Sequence, residues 1–399
     1  MRVALLSRGA HPLHAPGGLE RAVYHLARSL ERRGVETVLF TRPATHPGRF
    51  PGEVVEVPYG GDGAGHGRVF DRSWRYPRFA ARLGEAVAAR VRAGMVDVVD
   101  AQGLCALGYG RLRRREPGLR APLVMNPQGM EEHQTRGLKR LALTRLRRLS
   151  RQAAGLADRV IATDEATRAD VPRLLGVAPG KVAVVPNGVD LDEIAEATPA
   201  EPRAVAEEAV PGLRGADLVV LSVGRLEGYK GFGDVREALR RLEARGALPA
   251  RWAWVLVGTG PDADRLAALE GLGGRLQLPG RVSDAVLHAL YARADVFVHA
   301  TRYEGSSLVT LEAMAHGLPV VATRAGGIPD KVVEGETGHL VEPGDVAALA
   351  QRLEALAGAP ERRREMGARG NALVASRFSW SRIVERVLAL YDELRRPAA

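Results

Sequence analysis

Thirteen short apolar runs recur along this chain, separated by stretches of helical spacing, and this alternation constrains the fold more than any other feature. The runs lie at 3–7, 35–40, 54–57, 96–101, 123–126, 160–163 and 182–185 in the first half. In the second half they lie at 218–223, 254–257, 276–278, 296–300, 320–322 and 339–341. Strand-length runs alternating with helices are the pattern of βα units building parallel sheets. A chain of 399 residues is long for one hydrophobic core and suits two such sheets. Between the halves, "VVPNGVDLDEIAEATPAEP" (184–202) has an Asn-Gly turn and an acidic, Pro-containing stretch that read as a linker. The expected division is therefore 1–190 and 191–380, with a last helix over 381–399. In doubly wound domains ligands are expected at the carboxyl ends of the strands.

Several strand ends carry residues suited to a phosphorylated sugar. In "HATRYEGSSLVTLEAMAHGLPVVAT" (299–323), Glu304 stands in the turn after a strand and Glu312 on the helix that follows, which Gly317 and Pro319 end. A strand-to-helix junction presents unpaired backbone N–H groups and a positive dipole end, here at Ser307, Leu308 and Val309. One carboxylate can accept hydrogen bonds from sugar hydroxyls while the other accepts from a ribose diol. Upstream, "LSVGRLEGYKGFGD" (221–234) offers Arg225 and Lys230, the latter one of four lysines in the chain. Both cations can be aimed from a strand-end loop at diphosphate oxygens. Gly17 and Gly18, in "HAPGGLERAVYHLARSL" (14–30), precede a helix and let a backbone approach a ligand. Gly258 in "VGTGPDADRL" (257–266) makes a tight turn, and a lone G-x-G is no dinucleotide fingerprint.

These segments resemble the retaining glycosyltransferases of the GT-B fold, family 4. The likeness rests on an E-x7-E pair at Glu304 and Glu312, the continuation "EAMAHGLPVVATRAGGIPDKV", and a G-R-x-x-x-x-K-G loop at Arg225 and Lys230. It implies an α/β GT-B fold, two Rossmann-like doubly wound domains facing across a cleft, the first on the acceptor side. It implies transfer of a sugar, with retention, from a nucleotide-diphosphate sugar to a hydroxyl on a glycan, glycolipid or small molecule. Arg225 and Lys230 would stabilise the leaving diphosphate together with Gly18, Ser307 and Leu308. Glu304 would orient the sugar and Glu312 the ribose, while the backbone at Arg281 and Val282 would meet the base. No metal and no cofactor beyond the nucleotide sugar itself is implied. In "MNPQGMEEH" (125–133) the chain departs from the family, whose members often carry a histidine in this loop. Gln128 occupies that place with Glu131 nearby, and Gln cannot take a proton at neutral pH. His14 completes the expected acceptor side. A sugar-nucleotide 2-epimerase of the same fold class would also hold a nucleotide diphosphate, but the Arg/Lys loop with E-x7-E argues against it.

Charge and composition narrow the remaining classes. The net charge of +10 is lopsided: residues 1–190 hold 31 basic and 18 acidic side chains, the rest 26 and 29. Much of the excess lies in 111–120 and 136–152, where Leu138, Ala142, Leu146 and Leu149 recur at helical spacing among Lys139, Arg140, Arg147 and Arg151. Such a basic amphipathic helix suits peripheral contact with an anionic membrane, or a core-packed helix with a solvated face. No nucleic-acid motif is present and aromatic content is only 5%, so the basic half does not indicate a nucleic-acid partner. One cysteine, Cys105, excludes an internal disulfide framework. The first 14 residues are too short an apolar stretch for a signal peptide, and no run reaches 18 apolar residues. A cytoplasmic protein is expected, with peripheral contact at the inner membrane face.

Overall fold

The computed structural model describes residues 1–14, 17–60, 71–127, 130, 133, 141, 143–267 and 272–396. All thirteen expected strands occur, with ends shifted by two residues at most. The first unit comprises Met1–Asn187 and the final helix from Trp380, and the second comprises Gly188–Ser379. Within the stretch read as a linker, Leu191–Ala197 is a helix of the second unit, and a further helix, Pro202–Ala209, begins at its last residue. The Asp190 side chain accepts from the Asp192 and Glu193 amides, and those two acids in the first turn complement the helix dipole.

Seven parallel strands form the first sheet: β1 (Arg2–Leu6), β2 (Glu36–Thr41), β3 (Glu53–Glu56), β4 (Val98–Gln102), β5 (Leu123–Asn126), β6 (Arg159–Ala162) and β7 (Val182–Val184). Their order is β3-β2-β1-β4-β5-β6-β7, so the winding reverses between β1 and β4. The second sheet contains β8 (Leu218–Val223), β9 (Trp252–Val257), β10 (Leu276–Gly280), β11 (Val296–His299), β12 (Val320–Thr323) and β13 (Gly338–Val341). Its order, β10-β9-β8-β11-β12-β13, reverses between β8 and β11. Each reversal is a topological switch point, where neighbouring connections leave to opposite faces and open a crevice at the strand ends. The central strands are largely apolar because helices cover both faces, as Phe40, Val99 and Trp254 illustrate at 0–1% exposure.

The helix Thr144–Leu156 turns Leu146, Ala153 and Ala154 into the core, and Leu149 packs against it. The described part of the basic amphipathic helix is therefore core packing, with Arg145 stacked on the exposed Trp74 at 3.7 Å. Residues 134–140 and 142, which carry Leu138, Lys139, Arg140 and Ala142, lie outside the described residues. No helix among the described residues is long and apolar enough to cross a membrane.

The last helix, Trp380–Arg395, buries Ile383, Val384, Val387 and Tyr391 with Leu26, Val98 and Ile161 of the first unit. Its polar anchor is the Tyr391 hydroxyl, which donates to Asp100 Oδ2 at 2.7 Å, while Gln102 Nε2 donates to Oδ1 at 3.1 Å. Burial pushes the Asp100 carboxyl up to about 6, the two hydrogen bonds opposing it only in part. A carboxyl whose folded pKa is raised contributes stability that is fully present below its unfolded value and is lost as pH rises through the folded one. Urea unfolding at about pH 4 and about pH 7 should therefore show wild type losing stability relative to Asp100→Asn as pH rises. An unchanged difference between the two proteins would refute the assignment.

Candidate active site

At the switch point of the second sheet, the turns after β8 and β11 meet. The chain leaving β8 closes a 3-10 turn at Gly228–Lys230, and Gly231 follows with φ 71°. A Cβ on Gly231 would lie 1.9 Å from the Ala300 carbonyl oxygen, so only glycine lets this turn rest on the end of β11. Two hydrogen bonds fix the contact: Arg302 N donates to Tyr229 O at 2.7 Å, and Thr301 Oγ1 to the same oxygen at 3.3 Å. Lys230 is thereby delivered to Glu304.

One carboxylate oxygen collects the charge. Glu304 Oε2 accepts from Lys230 Nζ at 2.7 Å and from His299 Nε2 at 2.7 Å, and Oε1 accepts from the Gly305 amide at 3.2 Å. Burial alone would raise the Glu304 carboxyl, but the His299 hydrogen bond and the His299 and Lys230 charges hold it down at about 2. The group is an anion at neutral pH, able to accept hydrogen bonds and unable to donate one. His299 is fully buried, and its Nδ1 has no hydrogen-bond partner among the described residues. Sequence reading passed over this residue, although a histidine closing an otherwise apolar strand was its signal.

Glu312 sits on the helix Leu308–Ala315 as its fifth residue. Tyr291 donates its hydroxyl to Glu312 Oε2 at 3.1 Å and stacks on His316 with ring centres 5.5 Å apart. His316 Nε2 lies 2.9 Å from His288 Nδ1, and burial, with the neighbouring His288, pushes His316 down to about 4. Ser307 adopts a left-handed φ of 32° and bonds its hydroxyl to Thr310 Oγ1 at 2.7 Å instead of capping the helix amides. The first amides at Leu308 and Val309 are thus left uncapped by that side chain. The helix ends in the expected left-handed Gly317, φ 72°, with Leu318 N bonded to Ala313 O at 3.0 Å.

The other expected site residues divide. Arg225 is 73% exposed and pairs with Glu227, beside Tyr229 but not joined to Lys230 or Glu304. Gly258 has φ 143°, and a Cβ there would lie 1.8 Å from Gly224 O, so this glycine seats the β9 loop on the β8 loop. Arg281 is exposed and Val282 packs on the core, just before the helix Asp284–Arg293 that Ser283 caps. Gly18 opens the helix Gly18–Glu31 with open space at its Cβ position, whereas a Cβ on Gly17 would lie 2.4 Å from a Glu20 carboxylate oxygen. His14 is a correction. It is 1% exposed, with Nδ1 against Ala10 and Nε2 against the Arg42 and Pro43 carbonyls. Backbone groups use both ring nitrogens, so it stabilises its loop and presents nothing to a ligand. Gln128 and Glu131 lie outside the described residues.

Residues 16–193 match Glycosyltransferase Family 4, and residues 217–358 match Glycosyl transferases group 1. A D-inositol 3-phosphate glycosyltransferase of Actinosynnema mirum is 32% identical, over 99% of this chain and 97% of that protein. The chain belongs to glycosyltransferase family 4. This glycosyltransferase is also similar in fold to solved structures at lower identity. A sucrose-phosphate synthase from Thermosynechococcus elongatus superposes with a TM-score of 0.75 at 22% identity, over 98% of each chain. Anabaena Alr3699/HepE in complex with UDP-glucose gives 0.71 at 20% identity, over 98% of this chain and 100% of that one. The fold is thus the two-domain α/β GT-B fold.

Acid unfolding probes the charge cluster in this glycosyltransferase. A carboxyl whose folded pKa is depressed contributes stability that is present above its unfolded value and is lost as pH falls through the folded one. For Glu304 the window runs from about 4.5 down to about 2. Between those limits the wild type should lose stability more steeply than Glu304→Gln, measured by chemical unfolding at fixed ionic strength. Parallel curves would show that the cluster does not hold the carboxylate.

Proposed function

We propose that this glycosyltransferase moves a hexose-type sugar from a nucleoside-diphosphate sugar to a hydroxyl acceptor with retention of configuration. The carrying observation is the buried Lys230, Glu304 and His299 cluster at the β8/β11 switch point. Lys230 gives a diphosphate a cation only 13% exposed, in surroundings where a charge-assisted hydrogen bond is worth more than in water. Arg225 would join it by leaving Glu227, and the uncapped amides at Leu308 and Val309 would add neutral donors. Glu304, ionised and fixed by His299, would accept from hydroxyls of the transferred sugar. Glu312, steadied by Tyr291, would accept from the ribose diol.

In this reading the sugar C1 to phosphate oxygen bond breaks as the acceptor oxygen bonds C1 on the same face. The acceptor proton passes to the departing phosphate oxygen, so no protein base is needed. Lys230 and Arg225 stabilise the negative charge growing on the diphosphate, the electrostatic role that dominates such reactions. The two cations take the place a metal ion would fill, so the reaction proceeds without one. UDP-sugars head the donor panel, because HepE is solved with UDP-glucose. The acceptor is a glycan, a glycolipid or a small molecule. The exposed Trp74 under Arg145 is the described feature that would meet a membrane surface.

The test is a panel of UDP-, GDP-, ADP- and TDP-sugars. One of them should raise the unfolding temperature and then, with an acceptor, yield a product of the donor's anomeric configuration at full rate in EDTA. An inverted product refutes retention. Activity lost in EDTA and restored by Mn²⁺ refutes metal independence, and stabilisation by none of the panel refutes the donor class.

A further inference from the structure

The two cations of the β8 loop are held in unequal ways. Lys230 is closed against Glu304 with both side chains nearly buried, whereas Arg225 extends into solvent and pairs with Glu227. Of that exposed pair, Glu227 is the better anchored member. Its amide donates to Arg225 O at 2.9 Å and its carbonyl accepts from Lys230 N at 2.9 Å, so its backbone belongs to the same bonded turn as both cations. Its side chain is 23% exposed against 73% for Arg225, and the Tyr229 hydroxyl donates to its carboxylate. Tyr229 is fixed in turn. Its carbonyl accepts from Arg302 N and from Thr301 Oγ1, and Lys230 Nζ lies 5.4 Å from the centre of its ring.

A fixed carboxylate facing a long, exposed guanidinium makes a reversible pair. An ion pair this exposed gives up little free energy when it opens. A diphosphate arriving beside Lys230 can therefore draw Arg225 away, while the turn and Tyr229 keep the Glu227 charge within reach of the guanidinium. That pull matters after transfer. Cleavage of the sugar–phosphate bond leaves a nucleoside diphosphate that carries one more negative charge than the donor, once the proton taken from the acceptor has left. Two cations would then hold product more tightly than substrate, and slow release limits turnover.

We propose that Glu227 is a positioning residue for Arg225, competing with the bound diphosphate for the guanidinium and so speeding release of the nucleoside diphosphate. This rests on the reading that Arg225 and Lys230 hold the donor diphosphate. In the empty site Arg225 rests on Glu227. When donor binds, Arg225 turns to the phosphate oxygens and leaves Glu227 to the Tyr229 hydroxyl; at release the carboxylate takes it back. A carboxamide at this position keeps the size and the Tyr229 hydrogen bond but offers the guanidinium no charge.

Calorimetric titration of the full chain with UDP, GDP, ADP and TDP, followed by steady-state kinetics with the accepted donor, tests this. Glu227→Gln should bind the diphosphate that wild type accepts roughly three- to tenfold more tightly, the loss of one exposed competing charge. Donor KM should fall by less, and kcat should fall as release slows. The gain in affinity should shrink at high salt. In an Arg225→Gln background the Glu227 change should alter affinity by less than about twofold, which separates competition for Arg225 from simple removal of a negative charge near the phosphates. Asp262→Asn is a second control of that kind and should also stay within about twofold. A Cβ on Gly228 of the same turn would lie 3.6 Å from Asp262 Oδ2, yet Asp262 pairs with Arg265. Should Glu227→Gln fail to fold, Tyr229→Phe, which unties the carboxylate without removing it, should still tighten binding about twofold. Affinity unchanged or weakened in Glu227→Gln, or an equal gain without Arg225, overturns the proposal and leaves the diphosphate reading standing. Failure of wild type to bind any of the four removes the donor reading, and this proposal with it.

Discussion

The short contact between Lys230 and Glu304 is the constraint around which the second unit is built. Each side chain is about one-seventh exposed, at 13% and 15%, so neither charge can be left alone without a desolvation cost. The pair survives because His299 supplies a second hydrogen bond to the same carboxylate oxygen and Gly305 one to the other. Everything nearby serves that geometry. Gly231 lets the β8 turn touch the end of β11, Gly258 seats the next loop against it, and Thr323 Oγ1 bonds Thr301 O at 2.5 Å to hold the β11 exit.

A buried ion pair is weak evidence for stability and better evidence for purpose, since apolar side chains of similar size would hold the same space at less cost. Its position gives the purpose content. The sheet order reverses at β8 and β11, and the two residues come from the loops on either side of that reversal. The Tyr291, His316 and His288 rings behind Glu312 show the same economy, with the buried Tyr291 steadying one carboxylate and itself stacked on His316.

The strands were legible because short apolar runs of three to six residues have no other comfortable place in an α/β protein. The Glu304 and Lys230 meeting was legible as a pair of loops, but not as a contact. Nothing in a one-dimensional pattern says that Gly231 has a positive φ and rests on Ala300. His299 was missed because a polar residue at a strand end is ordinarily read as the edge of the run, not as a partner for the turn five residues on. His14 was misread for the opposite reason: beside a Gly-Gly loop it looked available, yet its ring nitrogens meet backbone groups of its own turn at Ala10 and of the loop after β2 at Arg42 and Pro43. Asp190 turned an apparent linker into a helix start, a cap hidden among other acidic residues.

The central claim is that Lys230 and Glu304 work as one unit on the donor. A double-mutant cycle with Lys230→Ala, Glu304→Ala and the double variant, read as kcat/KM with the accepted nucleotide sugar, tests it most directly. Each single change should lower kcat/KM by roughly 10² to 10³-fold, the scale for losing one preorganised electrostatic group, and the double variant should be little worse than the worse single. Near-normal rates in folded single variants, or losses that multiply in the double, would contradict the account.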